Sequence, residues 1–163
     1  MKKLSIICMA FLAFLAMSCN KTVVTNNVAS STVVVHSDDW YWDSNTSWRV
    51  DIDYDAINAD VVSHGAVLVY MDQGNTWRQL PMSFYYSVNN DDGSVSYFSS
   101  SLEVSSYNGG VSIFWTENDF YDGYRPEKHS FKIVVIPAAV YSTRTDVNYE
   151  DYNAVKVAFH LAD

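Results

Sequence analysis

Three aspartates, Asp51, Asp53 and Asp55, recur at every second residue within Ser47 to Asp55, alternating with Ile52 and Tyr54. On an extended strand this spacing puts them on one face, with neighbours about 7 Å apart at a rise of ~3.4 Å per residue. Paired carboxylates at such a gap can do glycosidase acid/base chemistry or help bind calcium. Any solvated strand face gives the same spacing, and Arg49 on that face offsets part of the charge, so the plain strand face is the favoured reading. Asn89-Asn90-Asp91-Asp92-Gly93-Ser94 has the acidic look of a calcium loop. It lacks the later glutamate that such a loop needs, and a hairpin turn fits it better. His36, His64, His129 and His160 are scattered, with no pair at i and i+4 around a glutamate, and Lys156 near His160 would repel a cation. They read as surface or cap histidines, and no metal site is expected. There is no G-x-S-x-G elbow, P-loop or dinucleotide fingerprint. No catalytic residue and no cofactor is therefore assigned, and the chain reads as a non-enzyme.

Aromatic residues are the remaining candidates: 12 Tyr, 8 Phe and 5 Trp in 163 residues. Trp40, Tyr41 and Trp42 stand in a row, so strand alternation cannot bury all three on one face. Tyr85 and Tyr86 pose the same problem, as do Phe120, Tyr121 and Tyr124 in a polar loop. Exposed rings on a rigid sheet can stack on sugars or anchor a protein partner. Trp40, Trp42, Tyr121 and Tyr124 are therefore the candidate ligand-binding residues. The competing reading covers both faces of the sheet and makes these rings core.

The elements that would position them are mostly strands. Thr32 to His36 is a β-branched run, and Trp48, Val50, Ile52 and Tyr54 alternate with polar residues. Asn58 to His64 reads as a helical turn with Asn58 as N-cap and Gly65 as its stop. Ala66 to Met71 is apolar throughout, which suits a central strand, and Trp77 to Leu80 returns beside it up to Pro81. Phe84 to Tyr86, then Val95 to Ser105 with a bulge or bend at Ser99 to Ser101, then Val111 to Thr116 and Ser130 to Ile136 complete the strands. At the end, Asn148 caps a helix of about three turns with Tyr152, Val155 and Phe159 on one face. About seven to nine short strands with turns every 8–12 residues predict an all-β fold, mainly an antiparallel β-sandwich, with a short internal helical turn and a C-terminal helix.

The N-terminus supplies an address. Met1-Lys2-Lys3 is a positive start, Leu4 to Leu15 is apolar except for Ser5, and Ala16 and Ser18 are small residues before Cys19. That order is a secretory signal, and the apolar run is shorter than the ~20 residues a membrane-spanning helix needs. Leu15-Ala16-Met17-Ser18-Cys19 resembles a bacterial lipobox in the loose form used by Bacteroidetes, with Leu15 one place further from the cut than usual. The resemblance implies that Cys19 carries lipid and becomes the mature N-terminus. Ala16 and Ser18 also permit an ordinary secretory cut, but a Cys directly after the cut favours the lipoprotein. Of the 2 Cys, Cys8 leaves with the leader, so the mature domain has no disulfide and must be held by its core. The expected organisation is a signal peptide over 1–18, a lipidated tether over 19–31 and one domain over 32–163.

Loss of Lys2 and Lys3 leaves 8 basic residues against 19 acidic, a net −11. Nucleic acid is disfavoured as a partner, and lipid rather than charge would hold the chain at a membrane. Asp39 to Trp42, Gly65 to Tyr70 (GAVLVY), Trp77 to Pro81 (WRQLP), Lys132 to Pro137 (KIVVIP) and Tyr152 to Leu161 (YNAVKVAFHL) resemble small, uncharacterised exported lipoproteins of Bacteroidetes. The resemblance implies a β-sandwich and an outer-membrane envelope address, and it implies no activity. Asn20-Lys21-Thr22 lacks the acidic run that marks surface export in such lipoproteins, which favours the periplasmic face. The expectation is a non-catalytic envelope domain that binds or scaffolds. A glycan-binding module using exposed aromatics and a structural, adhesin-like subunit are the alternatives, with a glycan or an envelope protein as partner.

Overall fold

The computed structural model describes residues 27–43, 46–118 and 125–162. The alternating and β-branched runs form strands β1 (Ala29–Val35), β2 (Tyr41–Asp43), β3 (Ser47–Asp53), β4 (Ala66–Asp72), β5 (Trp77–Gln79), β6 (Met82–Asn89), β7 (Val95–Tyr107), β8 (Gly110–Glu117) and β9 (His129–Ile136). Three helices accompany them: α1 (Ala59–His64), α2 (Ala138–Tyr141) and α3 (Tyr152–Phe159). The strands make two sheets, β1-β9-β4-β5 and β2-β3-β8-β7-β6, and every pairing is antiparallel. The architecture is the all-β sandwich that the sequence pattern predicts, with the C-terminal helix in place. Among the described residues no helix is long and apolar enough to cross a membrane.

The two sheets meet over one core and the first sheet meets the helix over another. Val50, Ile52, Ile113, Trp115, Val69, Met71, Phe131 and Ile133 belong to the core between the sheets. Leu68, Tyr70, Val134 and Ile136 point the other way and pack with Tyr152 and Val155 of α3. The continuous apolar runs of β4 and β9 follow from this, since both of their faces are covered. Tyr70 donates its hydroxyl to the Tyr149 carbonyl at 2.6 Å, and Lys132 Nζ donates to Tyr152 Oη at 2.9 Å, so polar contacts also tie the C-terminal segment down. Among the described residues no helix covers the outer face of the second sheet, where Arg49, Asp51 and Asp53 alternate with the buried Trp48, Val50 and Ile52.

Several local expectations change. β1 begins at Ala29, where it pairs with Val135, so the domain starts three residues before Thr32 and takes Ala29 to Ser31 from the expected tether. Register runs unbroken through Tyr85↔Ser99, Phe84↔Ser100 and Ser83↔Ser101, so no bulge interrupts β7. Asp151 rather than Asn148 caps the last helix, accepting from the Asn153 N–H, and the helix is eight residues long. Asn148 instead accepts from the Glu150 N–H, closing a turn ahead of the helix. Helix α2 after Pro137 has no periodic signal in the sequence and was not expected. Asn58 does cap α1, by accepting from the Val61 N–H at 3.0 Å. Gly65 ends α1 without a left-handed turn, at φ −91°. Glycine is needed there because a Cβ would lie 2.5 Å from the Ile136 carbonyl.

Candidate functional site

Strand β8 sends Val111, Ile113 and Trp115 into the core between the sheets, and the same parity carries Glu117 inward. A charged residue has thus taken an apolar position at the end of the strand. Glu117 is only 4% exposed. Ser100, opposite it on β7, donates to both carboxylate oxygens at 2.8 and 2.7 Å. Trp115 Nε1 donates to Oε1 at 2.6 Å, and Tyr86 Oη of β6 donates to Oε2 at 2.9 Å. All of these donors are neutral, and among the described residues none of the ion pairs involves Glu117. Unpaired burial of an ion costs several kcal/mol, which multiple hydrogen bonds partly offset.

Glu117 lies at a cavity of about 490 Å³ between the two sheets. That size is within the ~300–1,000 Å³ typical of small-molecule sites. Phe84, Tyr86 and Trp115 supply rings, Met71 and His129 line it from the first sheet, and Asp72 and Glu127 add two exposed carboxylates. The rings hold one another at fixed angles. Phe84 meets Trp115 edge-on at 5.3 Å, and His129 stacks on Trp115 at 5.1 Å. Trp40 packs behind Trp115 at 6.3 Å. Burial holds the His129 imidazole below the usual histidine range, with the Glu127 charge opposing it. The expectation of surface or cap histidines therefore fails for His129, whereas His64 pairs with Asp60 at 3.1 Å on the surface and His160 ends α3.

The aspartate face resolves into a different arrangement. Asp51 accepts from Tyr41 Oη at 2.6 Å, Arg49 Nε at 2.8 Å and Ser112 Oγ at 2.6 Å. Desolvation raises the Asp51 carboxyl, but those hydrogen bonds and the Arg49 charge outweigh it and hold the group below the usual carboxylate range. Desolvation and the Asp51 carboxylate push the Tyr41 hydroxyl up to about 12. Arg49 also lies over the Tyr41 and Phe114 rings at 5.9 and 5.4 Å. Asp51 is thus committed to its neighbours, and Asp55 lies beyond the end of β3. Among the described residues no three His, Cys, Asp or Glu side chains are grouped as a metal site would need.

The candidate aromatics separate. Trp40 is 1% exposed, because it fills the core between Trp115 and Phe131, so it presents no face to a sugar. Trp42 is half-buried and edge-on to Trp48 at 5.4 Å. Tyr121, Tyr124 and Phe120 lie outside the described residues, as does Cys19 with the whole leader. The most exposed rings among the described residues are Tyr85 and Tyr97, 85% and 78% exposed on the outer face of the β6–β7 hairpin. The cavity residues Glu117, Ser100 and His129 were not singled out by motif. Glu117 had one signal, a carboxylate at an inward parity position of β8. No protein-family model matches the chain, and no match to it is found among curated proteins or solved structures.

Proposed function

We propose that this chain is an exported, lipid-anchored envelope protein that binds a small ligand or ligand group and does not catalyse, and that the ligand seat is the cavity at Glu117. The observation that carries the binding reading is a carboxylate 4% exposed, held by three neutral donors, in a ring-lined cavity of about 490 Å³. Preformed apolar cavities with a few convergent polar groups are the usual form of a binding site. The lipid-anchored, outer-membrane part rests on Leu15 to Cys19 and the preceding apolar run. A fragment screen by ligand-observed NMR on the full chain in neutral detergent tests the seat. Hits should be lost in Gln73→Trp, which places a large ring at the cavity's exposed rim without touching the core. Hits that survive Gln73→Trp, or no hits at all, would count against the cavity. Cys19→Ser should move the protein out of the membrane fraction; retention there would refute the anchor.

A second reading, glycan recognition, draws on Tyr85 and Tyr97. Tyr85 lines a surface that includes Ser83, Ser99, Ser101 and Thr116, and Tyr97 lies two residues before Ser99 on the same strand. Rings beside hydroxyls suit stacking and hydrogen bonding to sugars. A glycan array probed with the wild type and with Tyr85→Ala and Tyr97→Ala tests it, and equal signal from all three proteins would rule this face out.

A further inference from the structure

We infer that the Glu117 cavity takes a positively charged organic group, a primary ammonium or a guanidinium with an apolar flank; this rests on the cavity being the ligand seat. The inference starts from how the chain treats the cations it does possess. Lys132 is 5% exposed and its Nζ lies 4.7 Å from the Trp77 ring centre and 4.5 Å from that of Tyr152. Arg125 lies over Trp48 at 5.1 Å and Arg144 over Phe159 at 5.2 Å. Each of these sites joins a ring face to a cation, an arrangement that gains strength when water is excluded.

The cavity has the rings and the carboxylate without the cation. Phe84, Tyr86 and Trp115 line it, Glu117 is buried in it, and no lysine or arginine is among its described lining residues. Among the described lining residues His129 alone could become positive, and its burial opposes that. Asp72 and Glu127 add negative charge from exposed positions, which would draw a cation inward and repel an anion. The hydrogen bonds from Ser100, Trp115 and Tyr86 fix the carboxylate but supply no countercharge. A ligand ammonium or guanidinium would supply it, and its carbon flank would cover Phe84 and Met71. A neutral polyol would gain only hydrogen bonds from the same carboxylate, and a carboxylic acid would meet like charge.

The test uses the full chain in neutral detergent micelles and four phenyl-bearing probes: benzylammonium, phenylguanidinium, benzyl alcohol and benzoate. Binding is read by tryptophan fluorescence and by the indole N–H signals. The two cations should bind at least about tenfold more tightly than benzyl alcohol, the order supplied by one desolvated cation–π contact with an ion pair. Benzoate should be weakest. Glu117→Gln should remove most of the preference for charge, leaving the smaller part that Asp72, Glu127 and the ring faces supply. Glu127→Gln, an exposed change that keeps the hydrogen bonds to Glu117 intact, should narrow the ammonium-to-alcohol ratio by about two- to fivefold. Alcohol or benzoate binding as tightly as the cations would overturn the inference and leave the cavity as a seat for another ligand. Failure of all four probes, with cavity-directed fragment hits persisting, would also overturn it. Failure of probes and fragments together would overturn the underlying reading.

Discussion

Replacing Glu117 by alanine removes the acceptor for two donors in almost fully buried residues, Ser100 Oγ and Trp115 Nε1, 1% and 3% exposed. A buried donor left without a partner costs about 1–3 kcal/mol, which makes about 2–6 kcal/mol for the pair. Tyr86 is 37% exposed and can turn its hydroxyl to water, so it adds little. Two effects pull the sum down: the burial cost of the carboxylate disappears, and the neighbouring cavity lets water replace it. The expected loss is therefore about 2–4 kcal/mol, a large share of the ~5–15 kcal/mol that stabilises a domain. Glu117→Gln should cost about 1 kcal/mol, because its carbonyl still accepts from Trp115 and its amide can donate to hydroxyl oxygens. Urea unfolding at neutral pH, followed in parallel by fluorescence and circular dichroism, measures both. The double variant with Ser100→Ala should recover about 1 kcal/mol relative to the sum of the single changes. A Glu117→Ala loss below about 0.5 kcal/mol, or equal losses for Ala and Gln, would show that this network does not hold the carboxylate as argued.

The other predictions concern the packing around the site. His129 has a folded-state pKa below its unfolded value, first through burial. The stability it contributes is complete above the unfolded value near 6.5 and is lost as pH falls toward the folded value, so the urea midpoint should drop between about pH 7.5 and 5.5. His129→Gln should flatten that drop, and an unchanged slope would assign it to other groups. Gly65→Ala should cost about 1–3 kcal/mol through the clash with the Ile136 carbonyl, read as a lower thermal midpoint; wild-type stability would show that α1 can shift without cost. Lys132→Met keeps the buried stem and should cost less than about 1.5 kcal/mol, whereas Lys132→Ala should cost about 2–5 kcal/mol. Equal losses in the two variants would mean that the ammonium, not the packed stem, stabilises the contact with α3.

Fold legibility followed periodicity. The alternation of β3 and the unbroken apolar runs of β4 and β9 are direct consequences of how many faces each strand buries, and each was readable from its own residues. Asn58 and Gly65 likewise bounded α1 correctly, although Gly65 works by close backbone approach rather than by a left-handed turn. What sequence alone could not supply was partner choice. Ala29 to Ser31 have the composition of a tether, yet they pair with Ile133 to Val135, a long-range contact with no local signal. The serine run at Ser99 to Ser101 looks like a place to bend, but Ser100 is held inward by Glu117 and the register stays regular. Trp40 looked like one of three adjacent rings competing for a face; it lies just before β2, where alternation does not govern it, and it drops into the core.

Charged residues explain why the candidate site was harder to read than the fold. The aspartates on β3 drew attention because they recur, but recurrence on a wet face lets each carboxylate find local partners, and Asp51 found three. Glu117 and Lys132 are the single acidic and the single lysine residue of β8 and β9, at buried positions of strands that are mostly apolar. A single charge at a buried parity position is expensive and persists only where its surroundings compensate it. For Lys132 the compensation comes from within the domain: a hydroxyl and two ring faces. For Glu117 it is complete in hydrogen bonds and incomplete in charge, and the carboxylate lies beside open space rather than against a helix. On the proposed reading, that difference separates a buried charge that docks one element on another from one that is available to a ligand. It is why the solitary carboxylate of β8, and not the row of carboxylates on β3, is the residue on which the binding hypothesis stands or falls.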